Sequence, residues 1–162
     1  MTELETLLRK HRNNGLLIDT NLFLLYLVGL TNPQRIATFD RTQQFGIQDF
    51  RLLARFAAEF KLHYTTPHVL TEVSNLARLK GTDRKGVREH LREIVTKTTE
   101  LMETSQALVA DESFLRLGLT DAAIIAAAKR PLLILTDDLD LYLTLRAGGF
   151  DAINFNHIRT WN

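Results

Sequence analysis

Three aliphatic residues followed by a carboxylate, Leu16-Leu17-Ile18-Asp19, constrain the fold of this chain more than any other stretch. The three aliphatic residues predict a short strand that is buried on both faces, as strands of parallel sheets are. The apolar run from Leu22 to Val28 follows at once and predicts a buried helix, which Gly29 is expected to end. Asp19 would then lie between a buried strand and a buried helix, where an unpaired carboxylate is costly.

Two interpretations of Asp19 are open. Together with Asn21 it can cap the following helix by accepting hydrogen bonds from free backbone N–H groups. Alternatively, it can belong to a ligand site, because the carboxyl ends of parallel strands open into the crevice where ligands bind. The cap interpretation and the ligand-site interpretation can be distinguished only with information from other parts of the chain.

Apolar strands alternate with helices along the rest of the chain. Further strands are predicted over 62–66, 131–136 and 151–155. Helices are predicted over 2–12, 47–60, 67–79, 111–117 and 119–129, with Thr120 as the N-cap of the last of these. A helix of about twenty residues should follow a turn at 80–86, and another should open at Leu141 and close at Gly148. This alternation predicts an α/β domain with a largely parallel central sheet.

Length and composition narrow the class of protein. The 162 residues are predicted to form one domain, 1–162, with a helical insert around 31–60 whose apolar stripe could cover the sheet or form a homodimer surface. There is no cysteine, which excludes disulfides, thiolate metal sites and a cysteine nucleophile. The longest apolar run is too short to cross a bilayer, and residues 1–5 lack the features of a signal peptide. We therefore expect a cytoplasmic protein without a membrane partner.

Acidic residues recur where the predicted strands end or helices begin. Asp19 follows the first strand, and Asp137, Asp138 and Asp140 follow the strand that ends at Thr136. Asp121 lies in the first turn of a helix, where the helix dipole alone would stabilise it by about 0.3–1 kcal/mol. Glu72 lies on the border of the apolar face of its helix, as an ordinary surface glutamate also could. In a doubly wound sheet all of these positions can face one crevice.

Crowded carboxylates must be neutralised. Two charges about 4 Å apart repel by roughly 4 kcal/mol at an effective dielectric of about 20, so such a group would protonate or bind a cation. An all-oxygen donor set favours Mg²⁺ or Mn²⁺ over Zn²⁺, and such an ion suits phosphoryl chemistry. His68 shares a helix face with Glu72, but no further histidine or glutamate continues a zinc pattern nearby.

The most basic stretch of the chain surrounds the turn at 80–86. It comprises Arg78, Lys80, Arg84, Lys85, Arg88 and Arg92. These residues can be an ordinary solvated helix end, or they can contact the phosphates of a nucleic acid. The formal net charge of +1 does not by itself indicate a nucleic-acid binder.

Four segments resemble the PIN domain family and occur in its order. They are 18–21 (Ile-Asp-Thr-Asn), 66–76 (Thr-Pro-His-Val-Leu-Thr-Glu-Val-Ser-Asn-Leu), 119–124 (Leu-Thr-Asp-Ala-Ala-Ile) and 134–140 (Ile-Leu-Thr-Asp-Asp-Leu-Asp). The resemblance spans residues 15 to 157. It implies a three-layer α/β/α sandwich and a metal-dependent endoribonuclease whose products carry 5′-phosphate and 3′-hydroxyl ends.

The resemblance also assigns roles to residues. It implies that Asp19, Glu72, Asp121 and Asp138 are the catalytic metal ligands for Mg²⁺ or Mn²⁺, with Asp140 as an additional acidic ligand. Asp138 is selected because Thr136-Asp137-Asp138 matches the Thr-x-Asp pattern of the family. Thr20, Asn21 and Thr136 would support these ligands.

Partners and alternatives follow from the same resemblance. Small stand-alone members are often VapC-like toxins of type II toxin–antitoxin pairs, so RNA is the expected substrate and a cognate antitoxin protein a possible partner. One alternative is a non-catalytic PIN-fold module that binds RNA or protein. A phosphatase of the haloacid dehalogenase kind would require a second aspartate two residues after Asp19, where this chain has Asn21.

Overall fold

The structure is a computed structural model that describes residues 1–159. Its strands are β1 (Leu16–Ile18), β2 (His63–Thr65), β3 (Thr99–Glu100), β4 (Leu133–Thr136) and β5 (Ala152–Asn154). Its α-helices are α1 (Glu3–His11), α2 (Thr20–Thr31), α3 (Ile47–Ala58), α4 (Pro67–Leu76), α5 (Asp83–Thr96), α6 (Ser105–Val109), α7 (Glu112–Leu117), α8 (Leu119–Ala127), α9 (Leu139–Ala147) and α10 (Phe155–Arg159).

In the described residues the five strands form one sheet, in the order β3-β2-β1-β4-β5, and every pairing is parallel. Helices pack against this sheet, which gives the predicted α/β fold with three layers. The strand order reverses between β1 and β4, where Ile18 pairs with Leu135. In open parallel sheets this reversal creates a crevice at the carboxyl ends of the two strands. Asp19 and Asp137 follow those two ends.

Helix α2 is the buried helix that the sequence predicts, but it does not end at Gly29. It continues to Thr31, and Asn32 is its C-cap. A Cβ atom at position 29 would overlap the ring of Phe50. The glycine therefore serves the close approach of α3 to α2 and does not terminate the helix.

Helix α3 uses its apolar stripe within the chain. Leu53, Phe56 and Ala57 are buried, and the ring of Phe50 lies 6.1 Å from the ring of Tyr26 on α2. The segment before α3 is irregular, as expected, apart from a 3₁₀ turn at Pro33–Arg35. It is anchored by Thr42, which is fully buried and donates a hydrogen bond to the Ile36 carbonyl at 2.8 Å.

Several predicted boundaries are wrong for local reasons. Helix α4 ends at Leu76 because Ala77 leaves the helical conformation. Helix α5 begins at Asp83, inside the predicted turn, and has only 14 residues because it ends at Thr96, with Lys97 as its C-cap. The N-cap of α8 is Gly118, at φ +90°, so Thr120 lies inside the helix. Helix α9 begins at Leu139, two residues earlier than expected. Strand β3 and helices α6 and α10 were not predicted.

Within residues 1–159, no helix is both long enough and apolar enough to cross a membrane.

Candidate metal centre

Asp19 lies directly after β1 and is 6% exposed. Its Oδ1 accepts a hydrogen bond from the Thr20 backbone N–H at 2.6 Å, so the cap interpretation is confirmed for Asp19, whereas Asn21 lies inside α2. Its Oδ2 accepts a second hydrogen bond, also at 2.6 Å, from the hydroxyl of Thr136 at the end of β4. Asp19 therefore caps α2 and also joins the two strands at the point where the strand order reverses.

Thr136 links Asp19 to Asp138. Its side chain is fully buried, and its Oγ1 accepts the backbone N–H of Asp138 at 3.0 Å while it donates to Asp19. Asp138 in turn caps α9, because its Oδ1 accepts the Leu141 N–H at 3.1 Å. One hydroxyl thus fixes the relative positions of two of the predicted ligands.

The carboxylate of Asp19 is buried, although an ionised carboxylate is more stable in water. Burial raises its pKa to about 6, although the hydrogen bonds from Thr136 and Thr20 act in the opposite direction. The charges of Asp137 and Asp138 contribute to this rise. Near neutral pH, Asp19 therefore carries a charge that the surrounding residues only partly stabilise.

Asp121, in the first turn of α8, connects the remaining acidic residues. Burial, as the largest cause, and the negative charges of Asp19, Asp138 and Glu72 together raise its pKa to about 7. Glu72 is half-buried on α4, and Asp138 is exposed. The structure therefore brings Asp19, Glu72 and Asp138, from three different parts of the chain, within electrostatic reach of Asp121.

The 137–140 segment contains two further acidic residues. Asp140 is exposed in the first turn of α9, and its charge is not among those that raise the pKa of Asp19 or Asp121. Asp137 had no assigned role, yet it is more buried than Asp138, and burial raises its pKa despite hydrogen bonds from its own backbone and from the Asn21 side chain. Its Oδ1 is buried without a hydrogen-bond partner among the described residues.

The predicted supporting residues lie close to this group. Thr136 makes the contacts given above, and Asn21 lies on the exposed side of α2 beside Asp137. Thr20 is buried, and its hydroxyl has no hydrogen-bond partner within residues 1–159. The available sequence signal for Asp137 was its place directly after Thr136, where a hydroxyl and a carboxylate are adjacent at a strand end, as they are at Asp19 and Thr20.

The basic residues form a surface of their own. Arg78, Lys80, Arg84 and Arg88 line an open groove beside the α4–α5 turn, and Lys85 and Arg92 line its continuation along α5. Arg84 and Arg88 are exposed, whereas Lys85 pairs with Glu89 at 3.5 Å. None of the four carboxylates lines these grooves.

The donor set suits a hard divalent cation, because it consists of carboxylates and hydroxyls. Between residues 1 and 159, however, no three carboxylate or imidazole groups already stand close enough to hold a metal ion. The His68–Glu72 pair accordingly has no third ligand there. A shared ion would require Asp19, Asp121 and their neighbours to close toward it, which would also relieve their mutual repulsion.

Thr136→Val should destabilise the protein by about 1–3 kcal/mol at pH 7, because a buried carboxylate oxygen and a backbone N–H would both lose their partner. Thr136→Ser retains the hydroxyl and is the matched control, with a much smaller loss. Urea unfolding of the three proteins measures the difference. Equal stability of the valine variant and the wild type would show that the hydroxyl does not hold Asp19.

Compared with known proteins, the chain matches no protein-family model and no curated protein sequence.

Proposed function

We propose that the chain is a metal-dependent endoribonuclease of the PIN type. The observation that carries the proposal is the electrostatic coupling of Asp121 to Asp19, Glu72 and Asp138 at the reversal of the strand order. Structural carboxylates are normally dispersed or paired with bases. Burying a group of like charges lowers stability, and such perturbed clusters in a crevice are typical of functional sites.

Asp19, Glu72, Asp121 and Asp138 would hold Mg²⁺ or Mn²⁺. A bound divalent cation supplies Lewis-acid chemistry and lowers the pKa of water. The Thr136 hydroxyl and the Thr20 N–H keep the Asp19 carboxylate oriented. The Thr136 hydroxyl also accepts the backbone N–H of Asp138. Asp121, with a pKa of about 7, can exchange a proton near neutral pH in the absence of the ion. Hydrolysis of a phosphodiester would leave 5′-phosphate and 3′-hydroxyl ends.

The experiment is a cleavage assay with single-stranded RNA and the purified chain. We expect cleavage with Mn²⁺ or Mg²⁺, no cleavage with EDTA, and ligatable 5′-phosphate ends. Metal-independent cleavage, or products with 2′,3′-cyclic phosphate ends, would contradict the proposal.

The open spacing of the carboxylates favours a second candidate, a non-catalytic module that binds RNA or protein. Binding of Mn²⁺ to the folded protein raises the free energy of unfolding by about 2.7 kcal/mol when the free Mn²⁺ concentration is 100 times the dissociation constant. In a module without a metal site, Mn²⁺ would leave the free energy of unfolding unchanged. Thermal unfolding with and without Mn²⁺ therefore separates the two candidates.

A toxin role in the cytoplasm, with a cognate antitoxin as the partner protein, rests on the PIN resemblance. Expression of the wild-type chain in a bacterial host should then arrest growth, and Asp19→Asn should not. A homodimer is a further proposal that sedimentation of the purified chain would test.

The groove beside the α4–α5 turn is the proposed contact for RNA phosphates. Replacement of both Arg84 and Arg88 by alanine should weaken the binding of single-stranded RNA of any sequence. It should also lower the slope of log affinity against log salt by about 1.4, since each phosphate contact contributes about 0.7. Filter binding at several salt concentrations measures both effects.

The matched control for this variant is the replacement of Arg51 and Arg55 by alanine. These two arginines are also exposed and also four residues apart, but they lie on α3. An equal loss of affinity in the two double variants would mean that RNA binding follows net charge and not this groove.

A further inference from the structure

Arg159 joins α10 to the first turn of α3 and to the segment before it. Its Nε and Nη2 each donate to one carboxylate oxygen of Asp49 at 2.9 Å, and Nη2 also donates to the Gln44 carbonyl at 3.2 Å. Its guanidinium lies 5.0 Å from the centre of the Phe45 ring. Both members of the ion pair are mostly buried, with exposed fractions of 29% for Arg159 and 16% for Asp49. Such a two-point contact is geometrically specific, unlike an exposed ion pair.

The same guanidinium sets the orientation of Asn156. Its Nη1 donates to Asn156 Oδ1 at 3.1 Å. Because a guanidinium can only donate, the amide oxygen of Asn156 must face it, and the amide NH₂ must face away. That NH₂ donates to the Asp137 carbonyl at 3.2 Å, and the Asn156 backbone N–H donates to Asn154 Oδ1 at 2.9 Å.

The contact with Asp137 acts on the next residue, Asp138, through one peptide group. The carbonyl of that group accepts from Asn156, and its N–H donates to Thr136 Oγ1 at 3.0 Å. The peptide plane that leads into Asp138 is therefore held on both sides. Thr136 holds the side that faces Asp19, and Asn156 holds the side that faces α10.

We propose that Asp49, Arg159 and Asn156 form a brace that positions Asp138. In this arrangement Arg159 is a positioning residue, because it acts through Asn156 and the peptide group between Asp137 and Asp138. The brace also gives the predicted insert around 31–60 a role, since Gln44, Phe45 and Asp49 lie in it. That Asp138 is a metal ligand rests on the proposed function, whereas the brace itself is a property of the metal-free chain.

Amide hydrogen exchange in the metal-free protein tests the brace directly. The Asp138 N–H donates to Thr136, and the Leu141 N–H donates to Asp138. In Arg159→Ala and in Asn156→Ala, both amides should exchange at least about tenfold faster than in the wild type. The amides of the central strand β1 should keep their wild-type rates.

Arg146→Ala is the matched control. Arg146 lies near the other end of α9 and forms an ion pair with Glu3 at 2.6 Å, so this variant also removes an arginine that pairs with an acid. Its Asp138 and Leu141 amides should exchange as in the wild type. If Arg159→Ala does not fold, Asn156→Ala still decides, because it leaves the pair between Asp49 and Arg159 intact. Wild-type exchange rates at Asp138 in Asn156→Ala would overturn the proposal.

Mn²⁺ binding by calorimetry separates this proposal from the proposed function. Residues that orient metal ligands typically contribute about 10–100-fold to metal affinity, and we expect a loss of that size in Arg159→Ala and Asn156→Ala. If the wild type binds Mn²⁺ and both variants bind it equally well, the brace does not position a ligand and the proposal fails. If the wild type binds no Mn²⁺ while the exchange rates change as expected, the proposed function fails and the brace stands.

Discussion

Asp19→Asn should lower Mn²⁺-dependent RNA cleavage by more than about 100-fold while the chain folds as before. Changes to residues that only orient metal ligands already cost about 10–100-fold, so the loss of a ligand should cost more. The fold should persist because the asparagine oxygen can still accept the Thr20 N–H. In the wild type the Thr136 hydroxyl donates to the carboxylate, and in the variant the asparagine NH₂ can instead donate to that hydroxyl.

Asp40→Asn is the control for this variant. Asp40 is exposed in the segment before α3 and is not among the residues whose charge raises the pKa of Asp19 or Asp121, so its replacement removes the same charge outside this group. Single-turnover cleavage of a labelled RNA at saturating Mn²⁺, together with thermal unfolding, measures activity and folding in parallel. Equal cleavage by Asp19→Asn and the wild type would contradict the assignment of Asp19 as a ligand.

Without divalent cations, the free energy of unfolding should fall as the pH rises from about 4 to about 7. Folding raises the pKa of Asp19 from 3.8 to about 6 and that of Asp121 from 3.8 to about 7. Between these limits the folded chain binds more protons than the unfolded chain, so a rise in pH favours unfolding. Asp19 alone should lower the free energy of unfolding by about 3 kcal/mol over this range, since each tenfold difference in proton affinity is worth about 1.4 kcal/mol. Above about pH 7 this destabilisation should be fully developed.

Asp121→Asn isolates this effect from the other titrating groups. Asp151 acts in the opposite direction, because hydrogen bonds from Lys10 and His11 outweigh its burial and lower its pKa. The difference between the wild-type and Asp121→Asn stability curves cancels such contributions. We expect the variant to be more stable than the wild type at pH 8 in EDTA, and less responsive to Mn²⁺. Urea unfolding from pH 4 to pH 8 provides the measurement, and parallel curves for the two proteins would refute the coupling.

The parts of the fold that the sequence predicts are those with a local cause. Leu16-Leu17-Ile18 forms the central strand because three aliphatic residues fit a position buried on both faces, and Asp19 caps the next helix through its own backbone neighbour. The parts that the sequence does not predict depend on distant residues. Gly29 resembles a helix stop, yet its role is set by Phe50 on another helix. Strand β3 has two exposed polar residues and, within residues 1–159, lies at the edge of the sheet beside β2, so it carries no apolar pattern.

The candidate site divides in the same way. Asp19 and Asp121 became candidates through local patterns, because one follows a strand and the other lies in the first turn of a helix. Asp138 was selected on the Thr-x-Asp pattern of the PIN resemblance. The brace could not be identified, because Asp49 and Arg159 are 110 residues apart and neither belongs to a motif. Asp140 matches a second acidic position of the resemblance and lies exposed in the first turn of α9, which Asp138 caps.

The most direct test of the shared metal site is anomalous diffraction from crystals of this protein grown with Mn²⁺. We expect a manganese peak in the crevice between β1 and β4, with carboxylate oxygens of Asp19, Asp121 and at least one of Glu72 and Asp138 within about 2.3 Å of it. A peak bound by other residues, or no peak in this crevice at saturating Mn²⁺, would contradict the account.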